Sequence, residues 1–336
     1  MQQIEIDKFL EESTPLLDIR SPAEYLNGHI SGAISFPLFQ DDERTEIGTI
    51  YNQLGQKKAI KRGLEIVGPR MAEFISAAEA FDSNEFRLHC WRGGMRSQSM
   101  GWLLEQYGFK VLLLTAGYKA FRNYQSSFYQ QNINLKVITG YTGSKKTELL
   151  KALIAKGAQV IDLEGFANHP GSSFGNKLSL KQPTTEQFQN DVFHRFQKFD
   201  LSKPIWIEDE SIRIGNVNLT ETLYAKMEAS DHIFIRVPKD ERVAFLVESY
   251  GNIKRNQLKE ATLGVAKKLG PQFTQTAIDF IDNDDLSSAA AILLKYYDER
   301  YQRSLNKKLN LIKEDIELDV ENVSNTATKL MNNYGI

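Results

Sequence analysis

The chain is poor in cysteine and has no long apolar run. It contains one Cys in 336 residues, which excludes an internal disulfide and any zinc or iron–sulfur site built from several thiolates. No segment approaches the roughly 18 consecutive apolar residues that a membrane span needs. The N-terminus, MQQIEIDKFLEES, is acidic and lacks the apolar core of a signal peptide. These absences predict a cytoplasmic protein with no membrane contact.

An excess of charge of one sign is also missing. The chain has 41 Lys+Arg against 43 Asp+Glu, spread evenly, so no part of it is a basic nucleic-acid module by bulk charge. Contact with RNA would need local basic patches, and the chain has two candidates. We favour a solvated helix face as the interpretation of both. The two patches are Lys57, Lys58, Lys61 and Arg62, and Arg300, Arg303, Lys307 and Lys308.

The length favours two domains, because a single hydrophobic core rarely grows to 336 residues. We place them at residues 1–128 and 129–336. Strands are predicted over 16–19 and 33–36, with a short helix over 23–26 between them. This alternation continues to residue 122 and predicts an α/β domain with a parallel sheet.

The single cysteine lies between a predicted strand, 86–89, and a predicted helix, 97–107. A lone Cys is usually a small buried apolar side chain. Here the loop contains two glycines and runs into a helix N-terminus, so its backbone N–H groups can bind an anion, while two arginines favour a thiolate. The pattern therefore predicts a reactive thiol, with Cys90, Arg92 and Arg96 as catalytic residues. The rest of the loop comprises Trp91, Gly93, Gly94, Met95 and Ser97.

Several spaced motifs resemble the rhodanese superfamily over about residues 4–124. They are Asp18-x-Arg20, Glu24-Tyr25, Gly28-His29, Gly32-Ala33, the Cys90 loop and LTAGYKAFR at 114–122. The spacing His-Cys-x5-Arg is one residue longer than in the sulfurtransferases of this superfamily and matches its Cdc25-like phosphatases. The resemblance implies a loop that accepts a larger tetrahedral group, such as phosphate or a selenium-bearing phosphate.

Residues 136–163 read as strand 136–139, loop, helix 148–155 and strand 160–163. The loop fits the phosphate-binding pattern G-x-x-x-x-G-K-[ST], except that Lys145 replaces the second glycine. In this interpretation backbone N–H groups hold a diphosphate, Lys146 reaches the terminal phosphate and Thr147 ligates Mg²⁺; the alternative is an ordinary turn. The diphosphate-binding candidates are Gly140, Thr142, Gly143, Ser144, Lys145, Lys146 and Thr147.

Carboxylates follow a second apolar run, 205–207, where they could ligate Mg²⁺ or its waters; the alternative is an exposed acidic turn. A Gly/Pro/Ser-rich loop over 162–175 is a candidate substrate loop, although a plain solvent loop has the same composition. The candidate metal or substrate residues are Glu208, Asp209, Glu210, Asp162, Glu164, His169 and Arg213.

Five blocks in order resemble the tRNA 2-selenouridine synthase family along nearly the whole chain. They are HCWRGGMRS, GYTGSKKT, DLEGFANHPGSSFG, IEDESIRIG and YDERY. The chain departs from the family at two positions. Lys145 stands where the family has glycine, and Ile212 stands directly after Glu-Asp-Glu-Ser, where the family has arginine. The resemblance implies a rhodanese-like domain followed by a P-loop NTPase-like α/β domain with a helical C-terminal part.

The resemblance also implies an activity. Family members replace sulfur by selenium in the wobble 2-thiouridine of tRNA, with selenophosphate as donor and an S-geranyl intermediate made from geranyl diphosphate. The Cys90 loop would handle selenophosphate, and the P-loop would hold the diphosphate, with Mg²⁺ as a candidate ion and no tightly bound cofactor. The expected partners are the tRNA anticodon loop and an enzyme that produces selenophosphate.

Two other classes of protein stay open from the residues. One is a Cdc25-like phosphatase or a sulfurtransferase fused to a nucleotide-binding domain, which would ignore thiolated tRNA. The other is a sensor in which both loops bind anions without catalysis, and which would tolerate Cys90→Ser.

Overall fold

The computed structural model describes residues 1–169 and 181–335. The chain divides into two compact units, Met1–Phe128 and Tyr129–Ile336. Each unit is built around its own five-stranded parallel sheet.

The first unit has the strand order β1-β5-β4-β2-β3, with every pairing parallel. Its strands are β1 (Gln2–Ile4), β2 (Leu16–Asp18), β3 (Ile34–Ser35), β4 (Glu85–His89) and β5 (Lys110–Leu114). Its helices are α1 (Ile6–Glu11), α2 (Pro22–Asn27), α3 (Asp41–Leu54), α4 (Gln56–Val67), α5 (Met71–Glu79), α6 (Met95–Tyr107) and α7 (Gly117–Phe128), with a 3-10 turn at Gly68–Arg70.

The strands of this unit are formed by apolar side chains that are buried in its core. Leu17, Phe86 and Leu88 are fully buried in one cluster, as expected for a parallel sheet covered on both faces. Ser21 caps α2, because its hydroxyl accepts from the Glu24 N–H while the Glu24 carboxylate accepts from the Ser21 N–H.

The second unit has the strand order β12-β11-β6-β8-β7, again parallel throughout, and a two-stranded antiparallel hairpin. Its strands are β6 (Leu135–Thr139), β7 (Gln159–Ile161), β8 (Ile205–Glu208), β9 (Arg213–Ile214), β10 (Val217–Asn218), β11 (Asp231–Arg236) and β12 (Ile312–Glu317). Its helices are α8 (Lys146–Ala155), α9 (Leu163–Phe166), α10 (Thr185–Phe196), α11 (Glu221–Glu228), α12 (Lys239–Tyr250), α13 (Arg255–Leu269), α14 (Pro271–Asp282), α15 (Leu286–Lys307) and α16 (Val323–Asn333), with a 3-10 turn at Leu309–Leu311.

The expected mixed α/β architecture with parallel sheets is confirmed. Several boundaries differ by one or two residues from those expected, and the strand expected over 160–163 ends at Ile161. The Asp162 carboxylate instead accepts a hydrogen bond from the Gly165 N–H at 2.7 Å and caps α9, so Leu163 begins a helix.

Two loops occupy the same topological place, one in each unit. The Cys90 loop follows β4 and the Gly140 loop follows β6, each at the carboxyl end of an inner strand of its sheet. Open parallel sheets bind ligands at this edge. Within residues 1–169 and 181–335, no helix is long and apolar enough to cross a membrane.

Candidate functional site

The thiol of Cys90 lies at the floor of the loop between β4 and α6. Cys90 is 3% exposed, and its Sγ lies 3.2 Å from Ser97 Oγ in the first turn of α6. Ser97 Oγ also donates to the Gly94 carbonyl at 3.1 Å. The sulfur therefore lies beside the first turn of α6, at the floor of a glycine-containing loop.

Backbone contacts with α7 fix the shape of this loop. The Tyr118 and Lys119 N–H groups donate to the carbonyls of Cys90 and Trp91, at 2.8 and 3.0 Å. This approach requires Gly117, whose φ is +61° and where a Cβ would lie 2.3 Å from the Cys90 carbonyl oxygen. The AGYKAF segment is therefore part of the Cys90 loop's support, which the sequence suggested only through the rhodanese resemblance.

The two arginines of the loop have different surroundings. Arg96 pairs with Glu24 through Nη1–Oε2 at 2.5 Å, and Arg92 is exposed. Against the cost of burial, Arg96 holds the pKa of Glu24 below its ordinary value. The Arg96 charge is thus shared with a carboxylate, while the Arg92 side chain is open to solvent.

A buried polar cluster lies next to the loop. Arg20 and Asp18 are both fully buried and form an ion pair at 2.6 Å, and the Arg20 guanidinium stacks on Tyr118 at 3.8 Å from the ring centroid. His89 Nε2 lies 3.7 Å from Asp18 Oδ2. Burial lowers the pKa of His89 to about 4, so the ring is neutral at physiological pH. Asp18 and Arg20 of the rhodanese signature therefore pack in the buried layer next to the Cys90 loop.

The Gly140 loop has the close packing of a phosphate-binding loop. A Cβ on Gly140 would lie 2.8 Å from the Ile235 carbonyl oxygen, and Gly143 has φ +81° with Arg242 and Leu246 close by. The Lys146 ammonium donates to the Gly140 carbonyl at 2.9 Å, which places it across the loop mouth. Ser144 Oγ is buried and has no hydrogen-bond partner among the residues described.

Lys145 adopts the left-handed conformation, with φ +54° and ψ +31°, which explains why glycine is usual at this position. Its side chain points away from the loop: Nζ donates to the Val320 carbonyl at 3.2 Å and lies 5.3 Å from the Phe245 ring centroid. The substitution therefore strains the backbone without filling the loop with a side chain.

Residues from α12 and α15 contact both ends of the segment from Gly140 to Thr142. The Tyr301 hydroxyl accepts from the Gly140 N–H at 3.0 Å and donates to Asp209 at 3.1 Å. Arg242 forms a two-bond ion pair with Asp298, both bonds at 2.8 Å, and donates to the Thr142 carbonyl at 3.2 Å. Arg242 carries no local sequence signal, whereas Asp298 and Tyr301 fall in the YDERY block.

The acidic residues after β8 separate into two environments. Asp209 faces Thr139, Tyr301 and Lys308, and its Oδ1 accepts from Lys308 Nζ at 2.7 Å. Against the cost of burial, Lys308 holds the pKa of Asp209 below its ordinary value. Asp209 is therefore committed to internal contacts.

Glu208 and Glu210 instead join Glu164 near the P-loop. The Glu164 N–H donates to Glu208 Oε1 at 2.7 Å, and Thr147 Oγ1 lies 3.4 Å from Glu164 Oε2. Burial, together with the Glu164 carboxylate, raises the pKa of Glu210 to about 8, and burial with Asp162 raises the pKa of Glu208. Within the described residues, no three His, Cys, Asp or Glu side chains are arranged to hold a metal ion by themselves.

Two further candidates lie at the β9–β10 hairpin, and one of them, His169, also reaches the acidic group, because its N–H donates to the Glu164 carbonyl at 3.0 Å. Arg213 is exposed in the β9–β10 hairpin, where its Nε donates to the Gly215 carbonyl at 2.9 Å. His169 is buried against Gly215 of the same hairpin. The expected substrate loop lies within the described residues only over 162–169.

The basic patches have mixed surroundings. Lys57, Lys58 and Lys61 are exposed on α4, in agreement with a solvated helix face, and Arg62 pairs with Glu46 at 2.6 Å. In the other patch Arg303 is exposed, and the side chains of Arg300 and Lys307 lie outside the described part. Lys308 was wrongly assigned to a solvated face, because it is buried and pairs with Asp209 and Glu228.

Comparison with known proteins matches both units. The profile of the rhodanese-like domain family matches residues 3–124, and that of the tRNA 2-selenouridine synthase AAA domain matches residues 133–279. The chain is similar to the tRNA 2-selenouridine synthase of Shewanella frigidimarina, with 32% identity covering 90% of this chain and 92% of that protein. The synthase of the same name from Bdellovibrio bacteriovorus is 31% identical, over 94% of this chain and 82% of that protein. These matches confirm the expected rhodanese-like and P-loop-type α/β domains.

Proposed function

Because the chain belongs to the tRNA 2-selenouridine synthase family, we propose that it replaces the sulfur of a wobble 2-thiouridine in tRNA by selenium, in two steps. The observation that carries this proposal is the pair of glycine-containing loops at the carboxyl ends of two separate parallel sheets, one of them with a thiol at its floor. One loop serves the departure of a diphosphate, and the other serves the entry of selenium.

The first step uses the Gly140 loop and geranyl diphosphate. The tRNA sulfur attacks the allylic carbon: a C–S bond forms, the C–O bond breaks, diphosphate leaves, and the uridine loses its N3 proton. Loop N–H groups, the α8 N-terminus and the Lys146 ammonium offset the negative charge that grows on the leaving diphosphate.

Mg²⁺ is proposed to accompany the diphosphate. In phosphate-loop sites the ion takes one or two protein oxygens and completes its shell with phosphate oxygens and water. Thr147 Oγ1, Glu164 and the unpartnered Glu208 Oε2 fit that role, because they form a crowded oxygen-rich group beside the P-loop. The ion would add positive charge where the diphosphate departs.

The second step uses the Cys90 loop and selenophosphate. Selenium forms a bond to C2 of the S-geranylated uridine, the C2–S bond breaks, and geranylthiolate leaves and takes up a proton. Water then cleaves the Se–P bond, which yields phosphate and 2-selenouridine. Loop N–H groups and Arg92 bind the phosphate part of the donor, and Cys90 is the residue proposed to handle selenium.

Purified full-length chain tests the proposal when it is incubated with thiolated tRNA and the nucleosides are read by mass spectrometry. Geranyl diphosphate alone should give S-geranyl-2-thiouridine, and both substrates should give 2-selenouridine. Selenophosphate without geranyl diphosphate should give neither. Hydrolysis of an aryl phosphate with thiolated tRNA left unchanged would overturn the proposal in favour of a phosphatase.

A further inference from the structure

A large cavity opens beside the Cys90 thiol. Its volume is about 690 Å³, and it lies between the Cys90 loop and the helix pair α3 and α4. We call it the Cys90 cavity. Sites that take small molecules typically have about 300–1,000 Å³, so this cavity has room for much more than a selenophosphate ion.

The walls of the Cys90 cavity divide by chemistry. Three arginines line one side, Arg44 from α3 and Arg92 and Arg96 from the loop. Arg44 and Arg96 face the Glu24 carboxylate, at 3.9 and 2.5 Å, so this side keeps a net positive charge. The α3 and α4 wall is mainly apolar, and its large side chains are Ile47, Tyr51, Ile60, Leu64 and Val67.

Part of the apolar wall is open to solvent in the described chain. Leu64 is 67% exposed, Tyr51 is 54% exposed, and Met95 at the edge of the loop is 45% exposed. Exposed apolar side chains grouped around a cavity gain free energy when an apolar ligand covers them. An anionic selenium donor uses the basic side and the loop N–H groups, and it leaves this wall uncovered.

The ligand that covers the wall must therefore be apolar and joined to the group that reacts at Cys90. In the second proposed step that group is a uridine whose sulfur carries a ten-carbon isoprenoid chain. The second unit has an apolar cavity beside Thr142, lined by Leu246, Val247 and Tyr250, but its volume is only about 70 Å³.

We propose that the Cys90 cavity binds the isoprenoid chain of the S-geranylated uridine during the selenium step, an inference that rests on the proposed function. The α3 and α4 wall holds the chain, and the basic side holds the phosphate of the selenium donor. A chain fixed in this way keeps its sulfur, and the C2 atom to be attacked, next to Cys90. The cavity thus selects the alkylated nucleoside over free 2-thiouridine.

The test compares two anticodon stem-loops, one with S-geranyl-2-thiouridine and one with S-methyl-2-thiouridine. Their affinities for the full chain, and KM and kcat for selenium incorporation with selenophosphate, are measured for wild type, Leu64→Asn and Leu26→Asn. Leu26 is a matched control because it is 72% exposed on α2 and does not line the cavity. Both variants change an exposed leucine, so both should unfold at the wild-type temperature.

Wild type should bind the geranylated stem-loop more tightly than the methylated one. Leu64→Asn should weaken binding of the geranylated stem-loop and raise the KM for that substrate about tenfold. This is the effect expected when the apolar contact of one to two methylene groups is lost. Binding and KM of the methylated stem-loop should not change. Leu26→Asn should match wild type. Equal affinity of wild type for both stem-loops, or an equal loss for both in Leu64→Asn, overturns the inference; the second result would assign the wall to anticodon bases.

Failure of the proposed function gives a different pattern. If wild type converts neither stem-loop but binds the geranylated one more tightly, and Leu64→Asn removes that preference, the cavity assignment stands and the activity is wrong. If both stem-loops are converted with the same KM in all three proteins, the activity stands and the cavity assignment is wrong.

Discussion

The hydroxyl of Tyr301 accepts a hydrogen bond from the Gly140 N–H at 3.0 Å, so a side chain 161 residues away holds the first residue of the phosphate-binding loop. The same hydroxyl donates to Asp209 at 3.1 Å. Burial, together with the nearby Asp209 carboxylate, raises the pKa of Tyr301 far above its ordinary value, so the hydroxyl keeps its proton. Helix α15 thereby supports the P-loop from a distant part of the chain.

Tyr301→Phe should loosen the start of the loop. It leaves the Gly140 N–H without its acceptor, which costs about 1–3 kcal/mol of unfolding free energy. Geranyl diphosphate affinity should fall about tenfold, because the loop is no longer held in its binding conformation. Denaturant unfolding and calorimetry measure the two effects. Tyr107→Phe, which removes a surface hydroxyl bonded to Glu79, is the control that should change neither quantity.

Lys146→Ala should weaken geranyl diphosphate binding by about 1.5–3 kcal/mol, the usual contribution of a charged hydrogen bond, or about 10- to 150-fold in Kd. The ammonium now donates to the Gly140 carbonyl, from which it can turn to a bound phosphate. Calorimetry with geranyl diphosphate measures the change. Lys151→Ala, an exposed lysine on the same helix, should bind as wild type does; unchanged affinity in both variants would remove Lys146 from the site.

Lys145→Gly should leave diphosphate binding close to wild type, because the lysine side chain points to Val320 and not into the loop. Glycine also accepts the φ of +54°, whereas alanine does not, so Lys145→Ala should be about 1 kcal/mol less stable than Lys145→Gly. We also expect weaker tRNA binding and a shallower salt dependence, by up to about one phosphate contact. A clear gain in geranyl diphosphate affinity for Lys145→Gly would show instead that the lysine obstructs the loop.

The sequence predicts the parts of the site that local patterns encode. Short apolar runs ending in Cys90, Gly140 and Glu208 mark strands β4, β6 and β8, and glycines mark the loops that follow. Parallel pairing then brings the ends of β6 and β8 side by side, which explains why the acidic residues reach the P-loop.

Contacts between distant segments are not encoded in this way. Lys308 sits in a run of polar residues that reads as a solvated helix end, yet it is buried against Asp209, 99 residues earlier. Arg242 lies on α12 with charged neighbours, and nothing local distinguishes it from a surface arginine until Asp298 and Thr142 are seen beside it. Such roles depend on packing between helices, which residue spacing does not specify.

The first unit should lose stability as the pH falls from about 6.5 to 4. Burial lowers the pKa of His89 to about 4 from the ordinary 6.5, so the unfolded chain takes up this proton before the folded one does. The stabilisation from the neutral ring is fully present above pH 6.5, and the loss can reach about 3 kcal/mol by pH 4. Hydrogen exchange of β4 peptides, measured across this range, should show the loss. His89→Gln should flatten the slope whatever its effect on overall stability, and an equally steep slope in that variant would contradict the assignment.

Cys90→Ser should separate the two proposed steps. The chain has one cysteine, and its sulfur lies in the loop of the first unit, whereas diphosphate binding is assigned to residues 140–147 of the second. A serine hydroxyl is a much weaker nucleophile than a cysteine thiol, so it cannot take over the handling of selenium that is proposed for Cys90. Selenium incorporation should therefore fall below detection while S-geranyl-2-thiouridine forms at the wild-type rate and accumulates. Nucleoside mass spectrometry distinguishes the two products in one sample. Full selenation by the variant would remove Cys90 from the mechanism, and loss of both products would assign the thiol to geranylation as well.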